Sequence, residues 1–159
     1  MRILALDLAT TTGYYTGGKS AGSIKFEKGT RVLDFWEWLC ELCFHEGENT
    51  FDVIVVENAI MQRGAANEVF HDLKAVVKLV CQLTETPLIG LSPTRVKKLF
   101  TGSGKAEKTD IINKVLDMGI ELPYRIMKAG PDKGKKRYSS DAADAVAIWQ
   151  SFKIEEGLL

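Results

Sequence analysis

The sequence predicts an α/β fold, a five-stranded mixed sheet with helices on both faces. Three observations predict it. The chain opens with three short apolar runs parted by turn residues, which read as an antiparallel meander. Two later runs of strand length, Phe51–Glu57 and Pro87–Leu91, alternate with segments of helical period. The length of 159 residues, 45% hydrophobic and 26% charged, suits one such domain spanning 1–159.

Taken in order, Arg2 to Leu8 is a buried strand, because Ile3, Leu4, Ala5 and Leu6 run on without a break to Asp7. Thr10-Thr11-Thr12-Gly13 supplies turn chemistry, and Tyr14-Tyr15-Thr16 begins the second strand. Gly17-Gly18 turns again, and Ala21 to Phe26 forms the third. From Thr30 to His45 the apolar residues Val32, Phe35, Trp36, Leu39 and Cys43 recur at helical spacing. Phe51 to Glu57 is the strongest strand, again closing on an acid. A long helix follows over 64–86, with apolar stripes wide enough to cover a broad arc. After the short strand to Leu91, Ser92-Pro93 starts a helix with proline in its first turn. Lys108 to Met118 is a further helix ended by Gly119, Arg125 to Tyr138 a basic loop, and Ser139 or Ser140 caps a last helix to Ile154.

Composition excludes a disordered tail, a repeat fibre and a disulfide scaffold. No apolar run approaches the roughly 20 residues of a membrane span. Asp7 comes too early for a signal peptide, and three cysteines in a chain without an export signal suit a reducing compartment. The expectation is a soluble cytoplasmic protein. Net charge is zero but unevenly spread: from Gly90 to Ser140 there are 12 Lys and Arg against 5 Asp and Glu. The stretch Asp34 to Glu57 holds seven acids and no Lys or Arg. Such a division fits a face that meets a polyanion, and equally an unevenly solvated surface.

The acids carry more. Asp7 and Glu57 each end an apolar strand, and ligands gather at the carboxyl ends of strands in open α/β sheets. Asp141 and Asp144, three apart, share one face at the start of the last helix, where acids are also common as simple capping residues. Four carboxylates together repel unless cations bridge them, and all-oxygen ligands suit Mg²⁺ or Mn²⁺. Two such ions about 4 Å apart activate water and stabilise a leaving oxygen, the chemistry of phosphodiester hydrolysis. Small alanines around Asp141 and Asp144 let this helix lie close to the sheet.

These residues, with Val96-Lys97-Lys98, Gly102-Ser103-Gly104-Lys105-Ala106-Glu107-Lys108 and Asp141-Ala142-Ala143-Asp144-Ala145, resemble the RuvC family of Holliday junction resolvases, which have the RNase H-like fold. The resemblance runs in order along nearly the whole chain. It implies a homodimeric, Mg²⁺-dependent endonuclease, two ions per site with Mn²⁺ as a substitute, making paired symmetric nicks in four-way DNA junctions and leaving 5′-phosphate and 3′-hydroxyl ends. Its four metal-binding acids fall on Asp7, Glu57, Asp141 and Asp144, and its two functional lysines on Lys97 and Lys108. Lys108 is the one assigned to the scissile phosphate, with Lys97 as a DNA contact. Lys98, Lys105, Lys133, Lys135, Lys136 and Arg137 complete the expected DNA-binding set.

Three departures stand out. Asp7-Leu8-Ala9 replaces the family's Asp-Pro-Gly, Ile60 aligns with an aromatic residue that works at the junction's bases, and Arg125 to Arg137 is longer than the family pattern. They suggest a divergent branch, such as one carried by a phage and working in the infected host or bacterial cell, with altered sequence preference. Nucleases of the same fold acting on flaps, three-way branches or RNA–DNA hybrids are the alternative, and a non-catalytic junction-binding module a more distant one.

Other features weigh less. Gly102 to Lys108 is not a Walker loop, since Leu99 and Ala106 occupy positions that motif requires to be Gly and Ser or Thr. Asp7 with Thr10-Thr11-Thr12-Gly13 also resembles the first phosphate motif of actin-like and sugar kinases, but that superfamily uses two domains and has no role for Asp141 and Asp144. Cys40 and Cys43 have zinc-like spacing on an apolar stripe, and buried free thiols are the simpler reading. The stripe Val69, Val76, Val80, Leu83 on the 64–86 helix fits either core or a partner helix, and a dimer through that helix is the expectation.

Overall fold

The computed structural model describes residues 1–45, 47–58 and 64–159. Its main sheet has five strands in the order β3-β2-β1-β6-β7. β1 (Ile3–Asp7), β2 (Thr11–Tyr15) and β3 (Gly22–Lys25) form the antiparallel meander, and β6 (Val53–Glu57) and β7 (Leu88–Leu91) run parallel to β1. The predicted mixed sheet is what forms. Between the meander and β6 lie α1 (Arg31–Cys43) and a short pair, β4 (Phe44–His45) with β5 (Glu48–Asn49).

Strand periodicity divides the core in two. Ile3, Ala5, Val53 and Val55 point to one face, where α3 (Pro93–Thr101), α4 (Lys108–Asp117) and α5 (Ser140–Glu155) cover them. Leu4, Leu6, Ile54 and Val56 point to the other, under α1 and α2 (Ala65–Leu83). Helices on both faces explain why β1 and β6 read as unbroken apolar runs instead of alternating ones. The thiols behave as buried free cysteines, with Cys43 and Cys81 buried and Cys40 half-buried. Burial, reinforced by its two neighbouring thiols, pushes Cys43 up to about 12. Among the described residues no helix is long and apolar enough to cross a membrane.

Three sequence expectations change. Thr11 to Gly13 lie inside β2 rather than in a turn, paired with Lys25 to Ser23 of β3. The basic segment 125–138 is not all loop: β8 (Tyr124–Ile126) and β9 (Lys136–Tyr138) pair antiparallel into a hairpin. On α2, Val76 and Val80 are buried in the chain's own core and Val69 packs half-buried against it, so of the stripe Val69, Val76, Val80, Leu83 it is Leu83 that faces outward. Leu79 and Leu83 are the large apolar residues of α2 that remain exposed, at 47% and 59%.

Candidate active site

β1 and β6 are parallel neighbours in the register Leu6↔Val56, so the next residue along each, Asp7 and Glu57, reaches the same sheet edge. Asp7 pairs on its other side with Gly13 of β2. Gly13 has no side chain because α5 starts directly above it: a Cβ there would lie 1.8 Å from the Asp141 carbonyl oxygen. The start of α5 is thereby lowered onto the sheet, and Ala142, Ala143, Ala145 and Ala147 are buried with no exposure, as small residues at a close crossing must be. Ser139 caps the helix by accepting from the Ala142 amide at 3.2 Å. Asp141 and Asp144 project from this first turn toward Asp7.

All four acids line one open cleft of about 660 Å³, together with Lys97 and Lys108. Lys108 is the first residue of α4, which a capping box between Glu107 and Asp110 starts at that point. Lys97 lies on α3, which is fixed to α5 by Ser151 donating to the Val96 carbonyl at 3.1 Å and by the Arg95–Glu155 ion pair at 2.8 Å. These ties hold Lys97 and the α5 acids in one frame.

The electrostatics are those of crowded, poorly hydrated carboxyls. Burial raises Asp7 well above the ordinary carboxylate range, and the charges of Asp144, Glu57 and Asp141 add to it while Lys108 opposes them. Burial and then Asp144 push Glu57 up to about 7, against Lys97. Burial takes Asp144 to about 6 despite Lys108 and Lys97. Asp141 is raised by burial, held down by its own backbone amide and Lys108. Among the described residues no three carboxyl groups close on a single point as a finished metal cage would. The donor set is nonetheless all oxygen, anionic and open on one side. It fits an ion such as Mg²⁺, which keeps several waters and takes one or two carboxylates along with substrate phosphates.

The other expected DNA contacts are spread out. Lys98 and Lys105 are exposed but do not line the cleft, and Ile60 lies outside the described residues. Lys133 is exposed in the turn of the β8–β9 hairpin. Lys135 is paired with Asp132 at 2.9 Å, Lys136 stands 4.2 Å over the Tyr124 ring, and Arg137 lines a neighbouring groove. Sequence reasoning missed Thr10, Thr11 and Asn67 as walls of the cleft. It also missed the part played by Gly13, whose only sequence signal was a glycine between β-formers. His71 lies on α2 against the Phe70 ring and takes no part.

No protein-family model matches the chain, and no curated protein matches it by sequence. Solved structures do. The RuvC structure of Thermus thermophilus is 20% identical, with 99% of this chain and 97% of that one covered and a TM-score of 0.69. RuvC of T. thermophilus in complex with a Holliday junction substrate is 17% identical over 99% and 96%, with a TM-score of 0.70. The yeast mitochondrial Holliday junction resolvase is 11% identical over 99% and 80%, with a TM-score of 0.61. At these identities the likeness is one of architecture, and nearly the whole chain shares it: the protein has the RuvC-type, RNase H-like fold.

Proposed function

We propose that this protein is a metal-dependent endonuclease that resolves four-way DNA junctions by paired phosphodiester hydrolysis. The observation that carries the reading is the convergence of Asp7, Glu57, Asp141 and Asp144 with Lys97 and Lys108 in one open cleft. The fold supports it, since one similar structure is named as a Holliday junction resolvase and another is a complex with a Holliday junction substrate.

In this reading the four carboxylates hold two Mg²⁺ ions, with Mn²⁺ able to substitute. Bound there, the ions supply the positive charge that makes water a nucleophile at neutral pH and stabilises the leaving 3′ oxygen. Asp7, raised well above the ordinary carboxylate range by burial and then by its three acidic neighbours, depends on that charge to stay ionised. Lys108 faces the non-bridging oxygens of the scissile phosphate, where its charge grows in value as the phosphorane-like charge develops. Lys97, beside Glu57, holds an adjacent phosphate. Lys98, Lys105, Lys133, Lys135, Lys136 and Arg137 supply the wider field that draws in a branched polyanion, so affinity falls steeply with salt. Two copies related by a two-fold axis present two sites to two opposed strands. The three free thiols suit a cytoplasmic setting.

The test is cleavage of a labelled immobile four-way junction beside matched duplex, flap, three-way and RNA–DNA hybrid substrates, with Mg²⁺, Mn²⁺ or EDTA. The expected result is paired, ligatable, metal-dependent nicks in the junction, abolished in Asp7→Asn while junction binding survives. Equal cutting of flaps and three-way branches would keep the chemistry and replace the substrate with branched DNA at large. No cutting of any substrate in either metal would overturn the proposal.

A further inference from the structure

The β8–β9 hairpin and the start of α5 enclose a second groove of about 440 Å³. Thr11 and Asp141 wall both this groove and the carboxylate cleft, so the two lie side by side and open into each other's neighbourhood. Two arginines line it, Arg125 from β8 and Arg137 from β9, and they are direct cross-strand partners.

That pairing is unfavourable in isolation. Like charges directly opposite on antiparallel strands destabilise the ladder, and a hairpin built only for stability would place an acid at one position. Among the described residues neither guanidinium forms an ion pair with a carboxylate. Asp141 shares the groove, yet the cation that acts on its carboxyl is Lys108. Two of the hairpin's other cations are already engaged, Lys135 with Asp132 and Lys136 over Tyr124. Two donor-only guanidinium forks therefore face one groove with no carboxylate paired to either, and Ser23, Ser139 and Ser140 add hydroxyls to its wall. Paired forks of this kind match the oxygens of a phosphate diester bidentately, which ammonium groups do not.

We propose that Arg125 and Arg137 form a second phosphate site, which holds the backbone of the cleaved strand next to the scissile phosphate. The inference rests on the nuclease reading, and it assigns the strand a path: from the carboxylates, past Thr11, and along the β8–β9 hairpin. Arg125, outside the basic residues singled out by sequence, becomes a substrate-positioning residue, and the hairpin becomes part of the binding surface instead of a connector.

The experiment measures binding, not cleavage, in EDTA. Junction affinity is titrated against salt for wild type, Arg125→Ala/Arg137→Ala, Arg125→Lys/Arg137→Lys, and the control Lys19→Ala/Lys78→Ala, whose residues line neither the cleft nor the groove. The alanine pair is expected to bind about tenfold or more weakly, with the slope of log K against log salt shallower by about two. The lysine pair keeps the slope but recovers the affinity only in part, and the control keeps both nearer to wild type. Junctions carrying one neutral methylphosphonate at successive positions then locate the contact: one position should weaken wild type but not the alanine pair. All four side chains replaced in the arginine and control pairs are exposed, so folding should be retained, and circular dichroism verifies it. If wild type binds the junction while the alanine pair binds with the same affinity and slope, the inference fails and the nuclease reading stands. If every methylphosphonate affects both proteins alike, the second site is likewise overturned. If wild type binds no DNA of any form, both fall together.

Discussion

Asp7 is where folding and chemistry pull in opposite directions. Its carboxyl is buried and faces Asp144, Glu57 and Asp141, so its proton is held far more tightly in the folded chain than in the unfolded one. Glu57, at about 7, and Asp144, at about 6, share the effect. Because these folded-state values lie above the unfolded ones, the associated stability is fully present below about pH 4 and is lost as pH rises through 6 to 7. A chelated protein at pH 8 therefore carries mutual repulsion that Asp7→Asn relieves. In EDTA at pH 8 the variant should melt higher than wild type by roughly 3–6 °C, and the gap should close toward pH 4. Mg²⁺ should raise the melting temperature of wild type more than that of the variant, by mass action on the folded state. Thermal scans across pH, with and without metal, check both signs. A variant that melts lower than wild type at pH 8 in EDTA would show that Asp7 is ionised and stabilising there, contrary to its surroundings.

At the scale of elements, the site depends on how closely α5 approaches β2. Gly13 is the point of contact, and the obstacle to a side chain there is the Asp141 backbone carbonyl, which cannot swing aside as a flexible side chain would. Gly13→Ala should cost about 3 kcal/mol or more in chemical denaturation and should abolish cleavage by lifting Asp141 and Asp144 away from Asp7. Gly18→Ala, a glycine with open space around it, is the control and should change little. This contact also marks the limit of what the sequence discloses. β1, β6 and the Asp141–Asp144 pair are legible because apolar runs and helical spacing are local patterns, and an acid ending a buried strand stands out against them. The conformation of Thr11 to Gly13 is not, since Thr-Thr-Gly serves a turn as well as a strand and the helix that packs on Gly13 lies at the far end of the chain. The β8–β9 hairpin is hidden for another reason: all three residues of β8 and two of β9 are exposed, so no buried face imprints an alternation on the sequence. Charge likewise disclosed that the segment is basic, but not that Lys135 is spent on Asp132 while Arg137 stays free to face a groove.

For the whole molecule, the question is how one cleft per chain could cut two strands. The sheet separates two kinds of surface: α3, α4 and α5 bring the lysines and two of the acids, while α1 and α2 close the opposite face. Only the beginning of α2 borders the cleft, through Ala66, Asn67 and Phe70. Its exposed leucines, Leu79 and Leu83, are four residues apart on one face and 12 residues or more beyond Asn67, about 18 Å along the helix axis. A second copy seated there would leave both clefts open to DNA, which is what the proposed paired cutting demands. With Val76 and Val80 committed to the core, these two leucines are the large apolar side chains of α2 left for an isologous contact. Wild type should therefore sediment as a dimer at micromolar concentration, and Leu79→Glu/Leu83→Glu as a monomer with an unchanged melting curve, because neither side chain supports its own fold. On a four-way junction the dimer should release two linear duplexes, whereas the monomer should accumulate a singly nicked junction, one cut no longer being followed by its partner within the same encounter. A wild type that sediments as a monomer with and without the junction, or a glutamate pair that stays dimeric, would remove this face of α2 from the assembly.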